Sequence, residues 1–318
     1  MSKPDETEII RIFQQSFKKK SKFVPEDVEI LRMSKVTVIT KSDMLVESTD
    51  VPPGMKINEI ARKSIIACVS DFACKGIKPQ YANVSLAIPK GFSISKIKML
   101  AAGFSMASKE YGVEIVGGDL NEGREIVIDV SMFGISTKIV KRNGARINDV
   151  IITSGPFGYC SAGLKIILNH LKADAKFTKK CKHHVNKPAP RLEFGLRISD
   201  CISSSMDSSD GLSATLNEMS RQSRKKFVIT KLPTKPDVEK FAKTNKIKLT
   251  DLVFCGGEEY EIVATVSRHN LDKVRQIAKM YKTPLYEIGY VTNGRNVVYC
   301  QENKLIPVKK CGWLHFKS

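Results

Sequence analysis

The chain has 318 residues, 42% of them apolar, with 52 Lys and Arg against 33 Asp and Glu, for a formal net charge of +19. This composition excludes a wholly disordered chain, and no run of ~18 apolar residues is present that would read as a membrane span. At ~100–200 residues per domain the length implies two domains, and the excess of base implies an anionic partner, either nucleic acid or a phosphorylated small molecule.

Taken in order, Ile9, Ile10, Ile12, Phe13 and Phe17 predict a short amphipathic helix over 6–17. The β-branched run Val36–Thr40 predicts a strand that continues into 41–47 and carries Asp43 on it or just past its end. After Pro52-Pro53-Gly54, the apolar residues Ile57, Ile60, Ala61, Ile65, Cys68, Val69 and Phe72 follow helical spacing on one face, and Gly76 and Pro79 stop the helix. Asp71 then falls in the last turn, where the helix dipole disfavours a carboxylate. The residues alone leave two readings of Asp71: a carboxylate solvated at a frayed end, or a ligand to a cation.

A strand over 82–88, a helix over 94–111 closed by Gly112 and a strand over 113–116 follow, the last running into Gly117-Gly118-Asp119. A Gly-Gly pair before an acid lets backbone approach a bulky anion and then offers a metal ligand, although the same pair makes a plain turn. Residues 125–136 alternate as a half-buried strand with Ile126, Ile128, Val130 and Met132 inward. The polar stretch 141–149 places the domain boundary, giving domains 1–144 and 145–318.

The second half begins with a strand at 149–153 and a helix at about 160–171. Gly158 to Lys165 nearly spells a phosphate-binding loop, but Leu164 separates Gly163 from Lys165 and Ile166 replaces the hydroxyl, so that motif is rejected. A helix over 191–202 leads to Met206-Asp207-Ser208-Ser209-Asp210-Gly211-Leu212 and another helix. Four consecutive cap formers are more than one helix start needs, and acids beside a helix N-terminus suit a phosphate with Mg²⁺. Gly256-Gly257-Glu258 precedes a strand at 262–266, and the tail carries strand-like runs at 298–300 and 305–308.

Eight cysteines without a C-x-x-C pair argue against both a zinc site and a disulfide framework, and Cys181, His183 and His184 are expected on a loop surface. The basic clusters at 18–20, 179–180, 224–226 and 309–310 lie far apart and lack interleaved aromatics, which argues against dedicated nucleic-acid binding. The acidic start, MSKPDETEII, lacks the features of an export signal, so a cytoplasmic location is expected.

The stretches D-M-L-V-E (43–47), S-D-F-A-C-K-G (70–76), V-G-G-D (116–119), M-D-S-S-D-G-L (206–212), G-G-E-E-Y-E-I (256–262) and G-W-L-H-F (312–316) stand in the order and rough spacing of the thiamine-monophosphate kinases. The chain resembles that family, part of the aminoimidazole ribonucleotide synthetase-like superfamily, from about residue 24 to 316. The resemblance implies a two-domain α/β (α+β) fold, with N-terminal sheets forming a barrel-like core across a homodimer and a C-terminal α/β domain. It implies ATP as co-substrate, several Mg²⁺ ions and thiamine monophosphate as acceptor. By motif match, Asp27, Ser42, Asp43, Asp71, Asp119, Asp207 and Asp210 would be magnesium ligands. Gly118, Asp119, Arg142 and Ser209 would contact the nucleotide, and Asp50, Glu258 and Trp313 the acceptor.

Three positions depart from the family pattern: Pro25-Glu26-Asp27 replaces Gly-Asp-Asp, Lys41 stands where a hydroxyl is usual, and Asp50 replaces a His. The implied acceptor is a phosphate monoester whose second pKa of ~6 leaves it ionised at neutral pH, so no general base is needed. Charge repulsion between two phosphates is the obstacle, and metal-bound acids would relieve it. Competing readings are a sister activity of the superfamily (selenophosphate synthetase, hydrogenase maturation or purine-synthetase type) and a non-catalytic polyanion-binding protein. The absence of a cysteine before Cys68 and the end in Phe316-Lys317-Ser318 count against the first two sister activities.

Overall fold

The computed structural model describes residues 6–16 and 26–315. Phe17, the 18–20 cluster, Pro25, Phe316 and the Lys317-Ser318 terminus lie outside the described residues. The N-terminal half comprises α1 (Glu6–Ser16), β1 (Glu29–Met33), β2 (Val36–Val46), α2 (Glu47–Asp50), α3 (Ile57–Lys75), β3 (Tyr81–Pro89), α4 (Ile94–Tyr111), β4 (Glu114–Gly117), β5 (Leu120–Gly123) and β6 (Val127–Ile135). Its sheet runs β1-β2-β6-β3-β4, with β5 pairing β3 further along. β2 and β6 pair antiparallel from Val38↔Ile135 to Val46↔Val127, the register that the alternation in 126–132 demands, with Ile128, Val130 and Met132 wholly buried. The opposite face of the sheet displays Met44, Tyr81 and Ile135 to solvent.

α3 was expected to be one-sided, and here the structure differs. Its apolar stripe packs on β2, β6 and α4, while its polar side is also covered, by α7 and β8 of the second half. Arg62, Lys63, Ser70, Asp71 and Lys75 are therefore buried, and Asp71 is 5% exposed, which removes the frayed-end reading. Gly76 ends the helix at φ 67°, and a Cβ there would lie 2.3 Å from the Cβ of Ser199, so both the left-handed turn and the close approach require glycine.

The second half contains β7 (Val150–Thr153), α5 (Tyr159–Asn169), α6 (Ala175–Asn186), α7 (Leu192–Ile198), β8 (Ile202–Met206), α8 (Leu212–Ser223), β9 (Lys226–Ile229), α9 (Pro236–Thr244), α10 (Leu249–Cys255), β10 (Val263–Val266), α11 (Leu271–Met280), β11 (Tyr286–Thr292), β12 (Asn296–Gln301) and β13 (Lys304–Pro307). Its sheet runs β13-β12-β9-β11-β7-β10-β8, antiparallel except for β12 against β9. The main apolar core runs from the first sheet through α3 and α7 into β10 and α11. No described helix is long and apolar enough to cross a membrane.

Three expectations need correction. The helix expected over 191–202 stops at Ile198, and Ile202–Met206 form β8, which pairs with β10 and whose Ser203 and Ser204 hydroxyls share hydrogen bonds with the Thr265 hydroxyl while Ser203 donates to Asp149. Cys181, His183 and His184 lie on α6, with Cys181 wholly buried against the α5 and α9 side chains. Cys255 and Cys311, 56 positions apart, are joined in a disulfide, since the end of α10 and the chain after β13 meet with their Cα atoms 5.1 Å apart.

Candidate functional site

Three carboxylates from distant segments converge between the two halves. Asp27 precedes β1, Asp71 sits in the last turn of α3 and Asp207 follows β8; one oxygen of each lies within 4.8 Å of the others, and all three residues are buried. Asp207 is oriented by hydroxyls, with Ser70 donating at 3.0 Å and Ser209 at 3.2 Å. Ser70 is available because it neighbours Asp71 on the buried side of α3, and Ser209 because the chain turns into α8. None of the four cap formers before α8 caps it; Gly211 occupies that position without a side-chain bond, leaving Asp207, Ser209 and Asp210 for the site while Ser208 bonds the Glu261 backbone.

Cations surround the acids. The Lys75 Nζ, wholly buried, lies 2.6 Å from Asp27 and 2.9 Å from Glu26, and donates to the Ser205 carbonyl at 2.9 Å. Arg142 donates to Asp27 through Nε at 2.9 Å and forms an ion pair with it through Nη2. Lys41, on β2, lies 3.0 Å from Asp71 and 3.4 Å from Asp43. Among the described residues, the groups bonded to the three acids are hydroxyls, thiols and cations, and no histidine stands with them.

The electrostatics separate the acids. Burial alone would raise Asp27, but Lys75 and Arg142 outweigh it and hold the carboxyl down at about 2. Burial pushes Asp71 well above the carboxylate range; Lys41 opposes that, and Asp207, Asp43 and Asp27 add to it. Burial and then Asp27 push Asp207 up to about 7. Burial also raises Asp210. Three buried carboxylate oxygens within 4.8 Å of one another, two of them on acids that resist ionisation, suit a hard divalent cation, which prefers oxygen ligands and would remove the repulsion. The residues present fit Mg²⁺ on this ground.

The other expected positions divide into three groups. Asp43 and Asp210 lie within electrostatic reach of the buried acids, Asp43 raising Asp71 and Lys41 and Arg142 lowering Asp210. The side chain of Ser42 points to the opposite face of β2 from Asp43, donating to Asp129 at 2.9 Å and lying 3.1 Å from Ser131. Gly118 and Asp119 line a groove of about 830 Å³ together with Phe104 and Ser105 of α4, and Asp119 contributes no oxygen to the buried triad.

The third group surrounds the loop that carries Ser209 and Asp210. Glu258 N donates to the Ser209 carbonyl at 2.6 Å, and Trp313 N donates to the Asp210 carbonyl at 3.1 Å. Gly312, at φ 149°, lies so close to Asp210 that a Cβ would sit 2.4 Å from its carbonyl oxygen. The Cys255–Cys311 disulfide joins these flanking strands of chain just before Gly256 and Gly312. The Asp50 carboxylate accepts a bond from Val46 N at 2.7 Å, and its carbonyl accepts one from Lys63 at 2.7 Å. Lys63 also pairs with Glu258. Lys41, Lys63 and Lys75 are the charged groups that sequence reasoning did not assign; the signal present was a lysine inside a buried helical pattern, as in Ala73-Cys74-Lys75-Gly76.

The models of AIR synthase related proteins match this chain at residues 25–136 for the N-terminal domain and 147–301 for the C-terminal domain. The chain is 50% identical over 317 residues to the thiamine-monophosphate kinase of Nitrosopumilus maritimus, covering 100% of both chains. It is 32% identical over 320 residues to that of Pyrococcus horikoshii, covering 100% of this chain and 98% of that one. The solved structure described as AaThiL complexed with AMPPCP and TMP superposes with a TM-score of 0.86 at 25% identity, covering 98% of this chain and 97% of that one. Matched by both domain models and over its full length by these relatives, the chain belongs to the thiamine-monophosphate kinase family of AIR synthase related proteins.

Proposed function

We propose that this chain transfers the γ-phosphoryl group of ATP directly to thiamine monophosphate, giving thiamine diphosphate, in a Mg²⁺-dependent reaction. The observation that carries the proposal is the buried triad Asp27, Asp71 and Asp207, which among the described residues has no histidine bonded to it. A phosphate acceptor already ionised at neutral pH needs charge neutralised rather than a proton removed. Bound Mg²⁺ would supply that neutralisation and hold donor and acceptor in line. Asp27, Asp71 and Asp207 would hold one ion, with Asp43 and Asp210 as nearby further ligands, while Asp119 and Ser42, which stand apart from the triad, would serve other ions.

The protein's own groups prepare this site. Lys75 and Arg142 keep Asp27 ionised, and the Ser70 and Ser209 hydroxyls orient Asp207. ATP would lie along the groove at Gly118, Asp119 and Phe104, with Arg142 and Ser209 toward its phosphates. The acceptor would sit between Asp50, Glu258 and Trp313. That a relative of matching fold carries AMPPCP and TMP together supports both substrates. The open face of the first sheet, with Met44, Tyr81 and Ile135 exposed, supports a homodimer formed through the N-terminal domains 1–144, the C-terminal domain being 145–318.

The test is a thiamine diphosphate assay with ATP and thiamine monophosphate, with and without EDTA, for the wild type and Asp71→Asn. Wild-type protein should form product only with Mg²⁺. The variant relieves a buried repulsion, so it should fold with an unchanged or higher melting temperature while losing activity on the order of 100-fold or more. Absence of wild-type product rejects the function, and near-normal turnover by the variant removes Asp71 from the mechanism.

A further inference from the structure

The Lys63 side chain is 3% exposed, and its ammonium group meets the Asp50 carbonyl at 2.7 Å and the Glu258 carboxylate. A buried ammonium is retained at a cost in desolvation, and this one joins the end of α2 to the 256–260 loop. Glu258 keeps 26% of its side chain exposed, so its carboxylate is held by Lys63 and still reaches solvent. The neighbouring acid turns away: Glu259 accepts bonds from Gly158 N at 2.7 Å and Cys160 N at 3.1 Å at the start of α5. On either side of Glu259 the chain is strained, with Glu258 at φ 63° and Tyr260 at φ 51°, left-handed values that side-chain-bearing residues rarely adopt.

We propose that Lys63 is a positioning residue: from α3 it fixes the Gly256–Tyr260 loop and aims Glu258 at the acceptor, setting the affinity for thiamine monophosphate. This rests on the phosphotransferase reading above. The backbone tie from Glu258 N to the Ser209 carbonyl anchors the loop at its main chain, and Lys63 anchors its side chain. The same helix carries Asp71, so Lys63 relates the acceptor loop to the acid triad through one rigid element. A purely structural ion pair would be replaceable by an apolar side chain of similar length without selective loss of one substrate.

The experiment compares the full chain with Lys63→Met and Lys63→Arg by two readouts. Amide hydrogen exchange across 256–260, without substrate, tests the anchoring. Steady-state kinetics then test the aim. Lys63→Met should exchange faster in this segment and raise KM for thiamine monophosphate roughly tenfold, the loss of one charge-assisted bond, while kcat and KM for ATP stay within about threefold. Lys63→Arg should recover part of both losses. Unchanged exchange, or a KM shift shared equally by ATP, overturns the proposal. If the wild type makes no thiamine diphosphate, the functional reading fails and the exchange result still decides the anchoring. Should Lys63→Met fail to fold, Glu258→Gln must reproduce the same KM split, and its failure to do so overturns the proposal equally.

Discussion

Lys75 Nζ lies 2.6 Å from the Asp27 carboxylate, with neither side chain exposed to solvent. The pair fastens residues 26–27, which precede the first strand, to the end of α3 and, through the Ser205 carbonyl, to β8. One acid of the triad thus owes its place to a cation outside the triad.

Lys75→Met would leave Asp27 buried with Arg142 as its one paired cation among the described residues. Loss of one partner from a buried pair costs ~3–5 kcal/mol, and the remaining guanidinium puts the expected loss near ~3 kcal/mol. Denaturant unfolding monitored by circular dichroism measures it, and a loss below ~1 kcal/mol would show that Arg142 suffices.

Reduction should matter at the other side of the site. The disulfide closes a loop of 56 positions, for which the chain-entropy account gives a stabilisation of about 4 kcal/mol. Dithiothreitol, or Cys311→Ser, should lower the melting temperature, and the fluorescence of Trp313, the one tryptophan, should shift with it. Peptide mapping without reductant should recover Cys255 and Cys311 in one cross-linked species; two free thiols in protein purified without reductant would refute the pairing.

A pH effect follows from His184, which stacks on Tyr159 with ring centroids 4.6 Å apart. Burial holds its pKa down at about 4, helped by His183, Lys180 and Arg191 and opposed by Asp237. The unfolded chain, with an imidazole near ~6.5, takes up the proton first. The contribution of neutral His184 is therefore present above pH ~6.5 and lost as pH falls toward about 4. Melting temperatures should fall more steeply across that window for the wild type than for His184→Phe, and parallel curves would count against it.

The elements legible in the sequence are those whose periodicity is set locally. The stripe from Ile57 to Phe72 marks α3, the pattern from 94 to Gly112 marks α4, and alternation over 126–132 marks β6. β8 was not legible, because a serine run becomes a strand only when β10, far along the chain, pairs with it and Thr265 and Asp149 share hydrogen bonds with its hydroxyls. α6 was obscured by lysines and histidines that leave few apolar positions for a pattern. The acids of the site were readable one by one, yet their meeting depends on the packing of β8 against α3. One geometric point was readable: adjacent residues on a strand face opposite ways, which sends the Ser42 side chain away from Asp43. The buried lysines were not, since nothing local to a lysine tells of carboxylates arriving from another segment.

α3 acts as a ruler. Lys63 and Asp71 are eight positions apart, a span of ~12 Å along a helix, and both ends are gripped by the second half, Lys63 by Glu258 and Ser70, beside Asp71, by Asp207. Inserting or deleting one residue between them would rotate one end by ~100° relative to the other and undo both grips together. Substitutions inside 63–71 act one side chain at a time, whereas a change in its length dislocates the whole site, so the length of this segment is a fixed dimension of the protein in a way that its surface loops are not.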